Sequence, residues 1–189
     1  VYVLEVRKTN KGPQVFVSRT HPGLVKRLFE LEVPEIHAGL VQIKGIAREA
    51  GSRTKISVYS NDSRVDAVGA CVGQKGMRVE RIVEELRREK IDIIAWDPDP
   101  AIYIAKSLSP AKVLMVYTKP AKYEENGDRF DGVARVVVPD NQLSLAIGKD
   151  GQNARLAVKL TRWKIDIKSN AQMEEEMERM DSGEEPPEL

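Results

Sequence analysis

With 189 residues, 41% hydrophobic and 31% charged side chains, and a net charge of +1, the chain can form one ordinary domain or two small ones with a highly charged surface. No run of eighteen apolar residues occurs, so no segment reads as a membrane-spanning helix. A single cysteine, Cys71, excludes an internal disulfide and fits a reducing, cytoplasmic setting. Charge is unevenly spread: Met173 to Leu189 carries −7, leaving +8 for the remainder. A basic body with an acidic tail suits a polyanionic partner, and equally a soluble surface with a solvated tail.

The opening residues, Val1-Tyr2-Val3-Leu4-Glu5, read as a piece cut from a longer protein. Residues 1–20 are expected to form a hairpin, with Val1–Val6 and Val15-Phe16-Val17 as strands and Asn10-Lys11-Gly12-Pro13 as the turn. Two strands alone do not make a stable sheet, so this hairpin is expected to end a domain whose beginning is missing. Pro22 suits the first turn of a helix striped by Leu24, Val25, Leu28, Phe29 and Leu31, which Val33-Pro34 ends. Strands are predicted at Leu40–Arg48 and Thr54–Tyr59, joined by Ala50-Gly51-Ser52-Arg53. Asp62 or Ser63 is expected to cap a short helix running to Val72. A glycine loop follows, then a helix with Val79, Ile82, Val83 and Leu86 on one face. Ile91–Trp96 closes this unit as a strand.

Asp97-Pro98-Asp99-Pro100 reads as a linker that also supplies an N-cap and a helix-starting proline. The same order then recurs: a helix near Ala101–Leu108, a strand at Lys112–Thr118, a polar loop rich in Glu, Asn, Gly and Asp, and a strand at Val133–Val138. A short helix at Asn141–Ile147, a second glycine loop, a helix at Gln152–Thr161 and a strand at Lys164–Lys168 complete it. Past Ser169 the chain is acidic. Helix is conceivable over Glu174–Met180, but the charge and Pro186-Pro187 predict a disordered tail.

The repeat extends to the residues themselves. Val72-Gly73-Gln74-Lys75-Gly76-Met77-Arg78 matches Ile147-Gly148-Lys149-Asp150-Gly151-Gln152-Asn153, and Lys-Ile-Asp-Ile occurs at both 90–93 and 164–167. A duplicated module of about 75 residues outranks any single short motif as a signal. Gly-x-x-Gly alone is weak; here it joins two helices twice, with the same strand at nearly the same distance. Glycines let a nucleic-acid backbone approach the peptide closely, and the helix that starts at each loop turns free N–H groups and its positive end toward phosphates. Lys75, Arg78, Lys149 and Arg155 add positive charge, whereas Asp150 opposes it. A tight helix–helix turn is the competing explanation of each loop. Asp92 and Asp166, at equivalent strand positions, read as parts of the fold.

This arrangement resembles the KH domain, whose Gly-x-x-Gly loop clamps about four nucleotides, in the type II order with a helix and two strands first. The stretches Glu32-Val33-Pro34-Glu35-Ile36, Gly51-Ser52-Arg53-Thr54-Lys55 and Asp66–Gly73 resemble the bacterial NusA transcription factor family. So do Ile91-Asp92-Ile93 with Trp96, and Ala146–Leu156-Ala157. The resemblance covers residues 1 to about 168, and Val15–Thr20 is similar to the last strand of the S1 domain that precedes the KH pair in that family. It implies an α+β chain with two tandem type II KH domains, each a three-stranded sheet with helices packed on it. The S1 remnant would span 1–20, the KH domains 21–97 and 98–168, and the acidic tail 169–189. It implies binding of nascent single-stranded RNA, action with RNA polymerase and other antitermination factors on pausing, termination and antitermination, a monomer, and a bacterial cytoplasmic location.

The candidate RNA-binding set is Gly73, Gln74, Lys75, Gly76, Arg78, Gly148, Lys149, Asp150, Gly151, Gln152, Asn153 and Arg155. No catalytic residue, metal or cofactor is expected. Neither loop has the Gly-Lys-Ser/Thr ending of a P-loop, and Gly69, Gly73 and Gly76 do not fit G-x-G-x-x-G. No His/Cys cluster with metal-ligand spacing exists. Cys71 lies in apolar Val68–Val72 and reads as a buried thiol, with His21 and His37 distant in sequence. Trp96 and Trp163, beside strands, read as packing residues. The alternatives are the KH fragment of another RNA-processing, ribosome-associated or enzymatic protein, or a protein-interaction scaffold.

Overall fold

Alternation of β-branched residues at the start of the chain gives an antiparallel hairpin, β1 (Tyr2–Thr9) paired with β2 (Gly12–Ser18). The structure is a computed structural model that describes residues 1–121 and 130–181, and the chain divides into two units, Val1–Ala95 and Trp96–Leu189. The polar loop expected between the second unit's first two strands lies largely outside the described residues. Val3, Leu4, Val6, Val15, Phe16 and Val17 of the hairpin are exposed. Its anchor to the rest of the first unit is Tyr2, whose ring stacks on His21 at 4.4 Å between centroids and packs against the core.

Helix α1 (Pro22–Glu32) begins where expected. Its cap is the His21 imidazole, which accepts a hydrogen bond from the Gly23 N–H at 3.0 Å, ahead of the proline at the first helical position. Leu24, Val25 and Phe29 form its buried stripe. Val33 turns extended before Pro34, as the residue before a proline prefers, and the same proline starts a short helix, α2 (Pro34–His37), that the sequence pattern did not reveal. Strands β3 (Gln42–Glu49), β4 (Arg53–Tyr59) and β5 (Lys90–Ala95) form one sheet in that order. The first pair is antiparallel and the second parallel. Between β4 and β5 lie α3 (Ala67–Val72) and α4 (Met77–Glu85). The cap of α3 is Asp66, which accepts from the Gly69 N–H. The expected cap Asp62 is instead drawn into a local turn by the backbone and guanidinium of Arg64, so the helix starts four residues later.

Phe29, Ile56, Val58, Cys71 and Ile82 meet in the core of this unit. Each large apolar side chain buried there contributes about 1.5–3 kcal/mol. Cys71 is fully buried; burial, with Glu35 nearby, pushes its thiol up to about 12, so it is protonated and inert. The Asp92 carboxylate takes bonds from Arg53 at 2.7 and 2.9 Å and from the buried Lys55 at 3.0 Å. It sits directly across the ladder from Lys55.

The second unit repeats this order with α5 (Pro100–Ser107), β6 (Met115–Pro120), β7 (Gly132–Val138), α6 (Leu143–Ile147), α7 (Gln152–Thr161) and β8 (Trp163–Ser169). Asp99 caps α5 through the Ala101 N–H, as its Asp-Pro sequence predicts. The sheet order is β6-β7-β8, again antiparallel then parallel. Strand β6 starts later than expected. Lys112 N–H is taken by the Gln142 side chain, and regular pairing begins at Met115. Ile104, Leu108, Val136, Ala146, Ala157 and Trp163 form the core, and Arg135 faces Asp166 across the ladder.

The predicted disordered tail over 169–189 is corrected in its first part, because Asn170–Asp181 is a helix, α8; residues 182–189 lie outside the described residues. Its acidic side chains are put to use. Glu176 pairs with Arg135 and Lys168, and Asp140 accepts the Ala171 N–H at 3.0 Å, tying down the first turn. Composition counts such carboxylates as solvated charge and misses the cations on β7 and β8 that receive them.

The buried Arg48–Glu89 pair generates a prediction. Both side chains are nearly inaccessible, with two bonds of 2.9 Å between them, and Glu89 also accepts from Thr54 Oγ1 and the Gly51 N–H. Burial opposes ionisation of Glu89, but these donors outweigh it and hold the carboxyl below its ordinary 4.5. A folded value below the unfolded one means stabilisation that is full above the ordinary range and lost as pH falls through the folded value. Glu89→Ala is expected to cost on the order of 3 kcal/mol, because it strands a buried guanidinium, and to flatten the loss of stability on acidification. Urea titrations at neutral and acidic pH measure both; a variant as stable as the parent contradicts this account.

Candidate nucleic-acid interface

Between α3 and α4, and again between α6 and α7, the chain makes the same corner in the same torsions. Gly73 and Gly148 lie at φ/ψ of 76°/174° and 78°/170°, and Gly76 and Gly151 at 79°/7° and 73°/12°. Lys75 and Asp150, at 51°/26° and 52°/28°, occupy left-handed backbone with an L side chain. The first glycine of each loop lies in a region essentially restricted to glycine. A Cβ at Gly73 would meet the Arg78 side chain at 2.6 Å, and one at Gly148 the Cβ and N of Asn153 at 2.8 Å. The second glycine is uncrowded: a Cβ at Gly76 would meet nothing within 4 Å, and one at Gly151 only the end of the Arg155 side chain at 3.8 Å.

Each corner delivers a helix without a side-chain cap, its first N–H (Met77 or Gln152) donating to the carbonyl of Gln74 or Lys149. The N-caps of α4 and α7 are Gly76 and Gly151, and neither helix has a side-chain cap, whereas α1, α3 and α5 are each capped by a side chain. Uncapped first-turn N–H groups need a partner from water or a ligand, and together with the positive helix end they favour an anion. The exposed residues at the loop tips are Gln74 and Lys75 in the first unit and Lys149 and Asp150 in the second.

The structure ties two of the residues expected to face RNA into bonds within their own unit. Arg78 donates to Glu35 at 2.9 Å and to the Ala70 carbonyl at 2.6 Å, so its charge is neutralised within the unit and its stem covers Gly73. Asn153 is buried, donating from its amide to the Leu108 and Ala146 carbonyls at 3.0 Å each. These residues occupy the same position in the two repeats and do the same job, closing the corner behind the first glycine. Gln152 is partly buried beside it. Arg155 is exposed and braces the loop by donating to the Asp150 carbonyl at 2.9 Å. Sequence reasoning missed Glu35 as the partner of Arg78; nothing in a short motif reveals an ion pair 43 residues long. Among the described residues no three His, Cys, Asp or Glu side chains converge as a metal site requires, and no helix is long and apolar enough to cross a membrane.

Comparison with known proteins agrees with this duplicated geometry. Residues 19–96 match the family described as the NusA-like first KH domain, and residues 100–175 the NusA-like second KH domain. The transcription termination/antitermination protein NusA of Bacillus subtilis is 59% identical over 175 residues, covering 93% of this chain and 45% of that protein. Its namesake in Halalkalibacterium halodurans is 59% identical over 174 residues, covering 92% and 43%. That of Thermus thermophilus is 47% identical over 165 residues, covering 87% and 40%. The chain thus spans less than half the length of these relatives. A solved structure, that of APE1850, shares the fold with a TM-score of 0.52 at 17% identity, over 78% of this chain and 97% of that one. The two units carry the NusA-like first and second KH domains in that order, and the chain belongs to the NusA family of tandem KH proteins.

Proposed function

We propose that this chain is the RNA-holding part of a transcription factor that acts with RNA polymerase, and with other antitermination factors, on pausing, termination and antitermination. On this reading it is not an enzyme; it works as a monomer in the bacterial cytoplasm on nascent single-stranded RNA. Residues 1–20 are the end of an S1 domain, and 21–97 and 98–168 are the two KH modules. The observation that carries the proposal is the paired corner: two loops with matching torsions, each open at its second glycine and leading into an uncapped helix. The relatives' name, transcription termination/antitermination protein, supplies the process. Phosphates sit at Gly73–Gly76 and Gly148–Gly151, drawn by the helix N-termini and by Lys75 and Lys149. Gln74 and Gln152 lie within reach of the bound strand.

The salt dependence of binding tests the first loop. Single-strand binding has a log–log salt slope of about −0.7 per phosphate neutralised. Lys75→Ala is expected to reduce that slope by less than about one unit and to weaken all sequences alike. A loss confined to particular sequences would assign Lys75 to base reading instead.

The two glycines of the second loop are expected to separate folding from binding. Gly148→Ala forces a Cβ against Asn153 in glycine-only backbone and should cost stability, about 1–3 kcal/mol from the backbone alone. Gly151→Ala adds a methyl in ordinary contact with the end of the Arg155 side chain at 3.8 Å, at the cost of a left-handed alanine, about 1 kcal/mol, and should lose RNA affinity while the domain stays folded. Thermal melting and RNA titration on each variant check this; full RNA binding by Gly151→Ala would make the loop a mere turn.

A further inference from the structure

The tips of the two loops have matching backbones and opposite charges. Lys75 and Asp150 agree within 2° in φ and ψ, so their Cβ atoms leave the loop in the same direction relative to the helix that follows. Both side chains are exposed, and neither the Lys75 ammonium nor the Asp150 carboxylate has a hydrogen bond or ion pair among the described residues. Arg155 donates to the backbone carbonyl of Asp150 at 2.9 Å, not to its carboxylate. An Asp is at home in left-handed backbone, but the first loop shows that this geometry holds a Lys as well. Backbone conformation therefore does not require an acid at the second tip.

On a loop that follows a sugar–phosphate chain, a carboxylate repels each phosphate it approaches. It gains only from a donor, and the donor that a nucleotide carries along its backbone is the ribose 2′-hydroxyl, which distinguishes RNA from DNA. Resting on the RNA-binding reading above, we propose that Asp150 is a specificity-determining residue of the second module: its carboxylate accepts a hydrogen bond from a ribose 2′-hydroxyl and turns away strands that lack one. The first loop, with Lys75 at the same place, supplies sugar-independent attraction. The second thus exchanges some affinity for discrimination, because a strand without the donor leaves the carboxylate facing phosphates with nothing to offset the repulsion.

The test compares single-stranded RNA with the same sequence carrying 2′-fluoro sugars, which keep the ribose pucker and lose the donor. Binding is measured for the parent chain, Asp150→Lys and Asp150→Asn. The parent is expected to favour RNA by about fivefold or more, in keeping with an exposed hydrogen bond to a charged group. Asp150→Lys, which has its precedent at Lys75, should bind both strands more tightly and bring their ratio toward that of the remaining contacts. Asp150→Asn keeps an acceptor and should retain most of the preference. An RNA preference that survives Asp150→Lys unchanged overturns the proposal, as does a parent that binds both strands equally. A dependence on the base at one position without a change in the sugar ratio also overturns it, in favour of a base amino group. In those three cases RNA binding itself stands; a parent chain that binds no single-stranded RNA overturns the RNA-binding reading, and this proposal with it.

Discussion

At each helix–helix corner the first glycine takes a conformation closed to other residues, and the side chain five positions later folds over it. In the first unit that side chain is Arg78, held by Glu35 and the Ala70 carbonyl; in the second it is Asn153, held by the Leu108 and Ala146 carbonyls. The chemistry differs, one a charged fork near the surface and the other a buried amide, but both donate back to a carbonyl of the short helix just completed. That contact fixes the angle at which the next helix leaves, and so the direction of its first-turn N–H groups and of the tip residue two positions past the first glycine. Substituting the glycine loses the backbone conformation; substituting the partner removes what holds it. The remainder of the proposed interface inherits its geometry from this one contact.

Electrostatics follows the same economy of position. The body of the chain is strongly basic by count, yet many of its cations are spent internally. Arg48 neutralises Glu89, Arg53 and Lys55 hold Asp92, and Arg135 and Lys168 receive Asp166 and Glu176. For Lys55, burial lowers the pKa and Asp92 only partly restores it; its charge is tolerated inside the sheet because the carboxylate lies opposite. Net charge is thus a poor map of where a polyanion lands. Among the described residues the loop lysines without an internal partner are Lys75 and Lys149, and these are the cations on which the proposed RNA binding rests.

The architecture was legible in the sequence for a physical reason. A duplicated pattern of amphipathic helices, two glycine loops and two Lys-Ile-Asp-Ile strands gives the same local signals twice, and capping at Asp99-Pro100 or stopping at Val33-Pro34 depends on neighbours a few residues away. What stayed hidden depends on partners far along the chain. Arg78 and Asn153 looked like ligands because they follow a glycine loop, and only the fold shows Glu35 and the carbonyl of Leu108 waiting for them. Helix α8 was hidden likewise. Its run of glutamates has little apolar content, and a helix there is held by Asp140 at its first turn and by the cations of β7 and β8, all distant in sequence. Asp92 and Asp166 could be read as parts of the fold from their equivalence in the repeat, and each pairs with cations of the neighbouring strand.

The duplication also acts as an internal control on what the fold demands. Immediately before Lys-Ile-Asp-Ile the first unit has Glu89, buried in a network with Arg48, Thr54 and Gly51, and the second has Trp163, packed into the apolar core. A buried ion pair and a buried ring can do equivalent work, because replacing a satisfied ionic network by well-packed apolar groups is often neutral in stability. The same exchange appears behind the glycines, where Arg78 stands in one copy and Asn153 in the other. Supports are therefore interchangeable between the copies, whereas the torsions of the two corners agree within a few degrees. Packing constrains the supports only as a set, by volume and by satisfied hydrogen bonds. The corner is constrained atom by atom, and so its open side and tip, where Lys75 and Asp150 differ in charge at one geometry, are where the two modules can be told apart by a ligand.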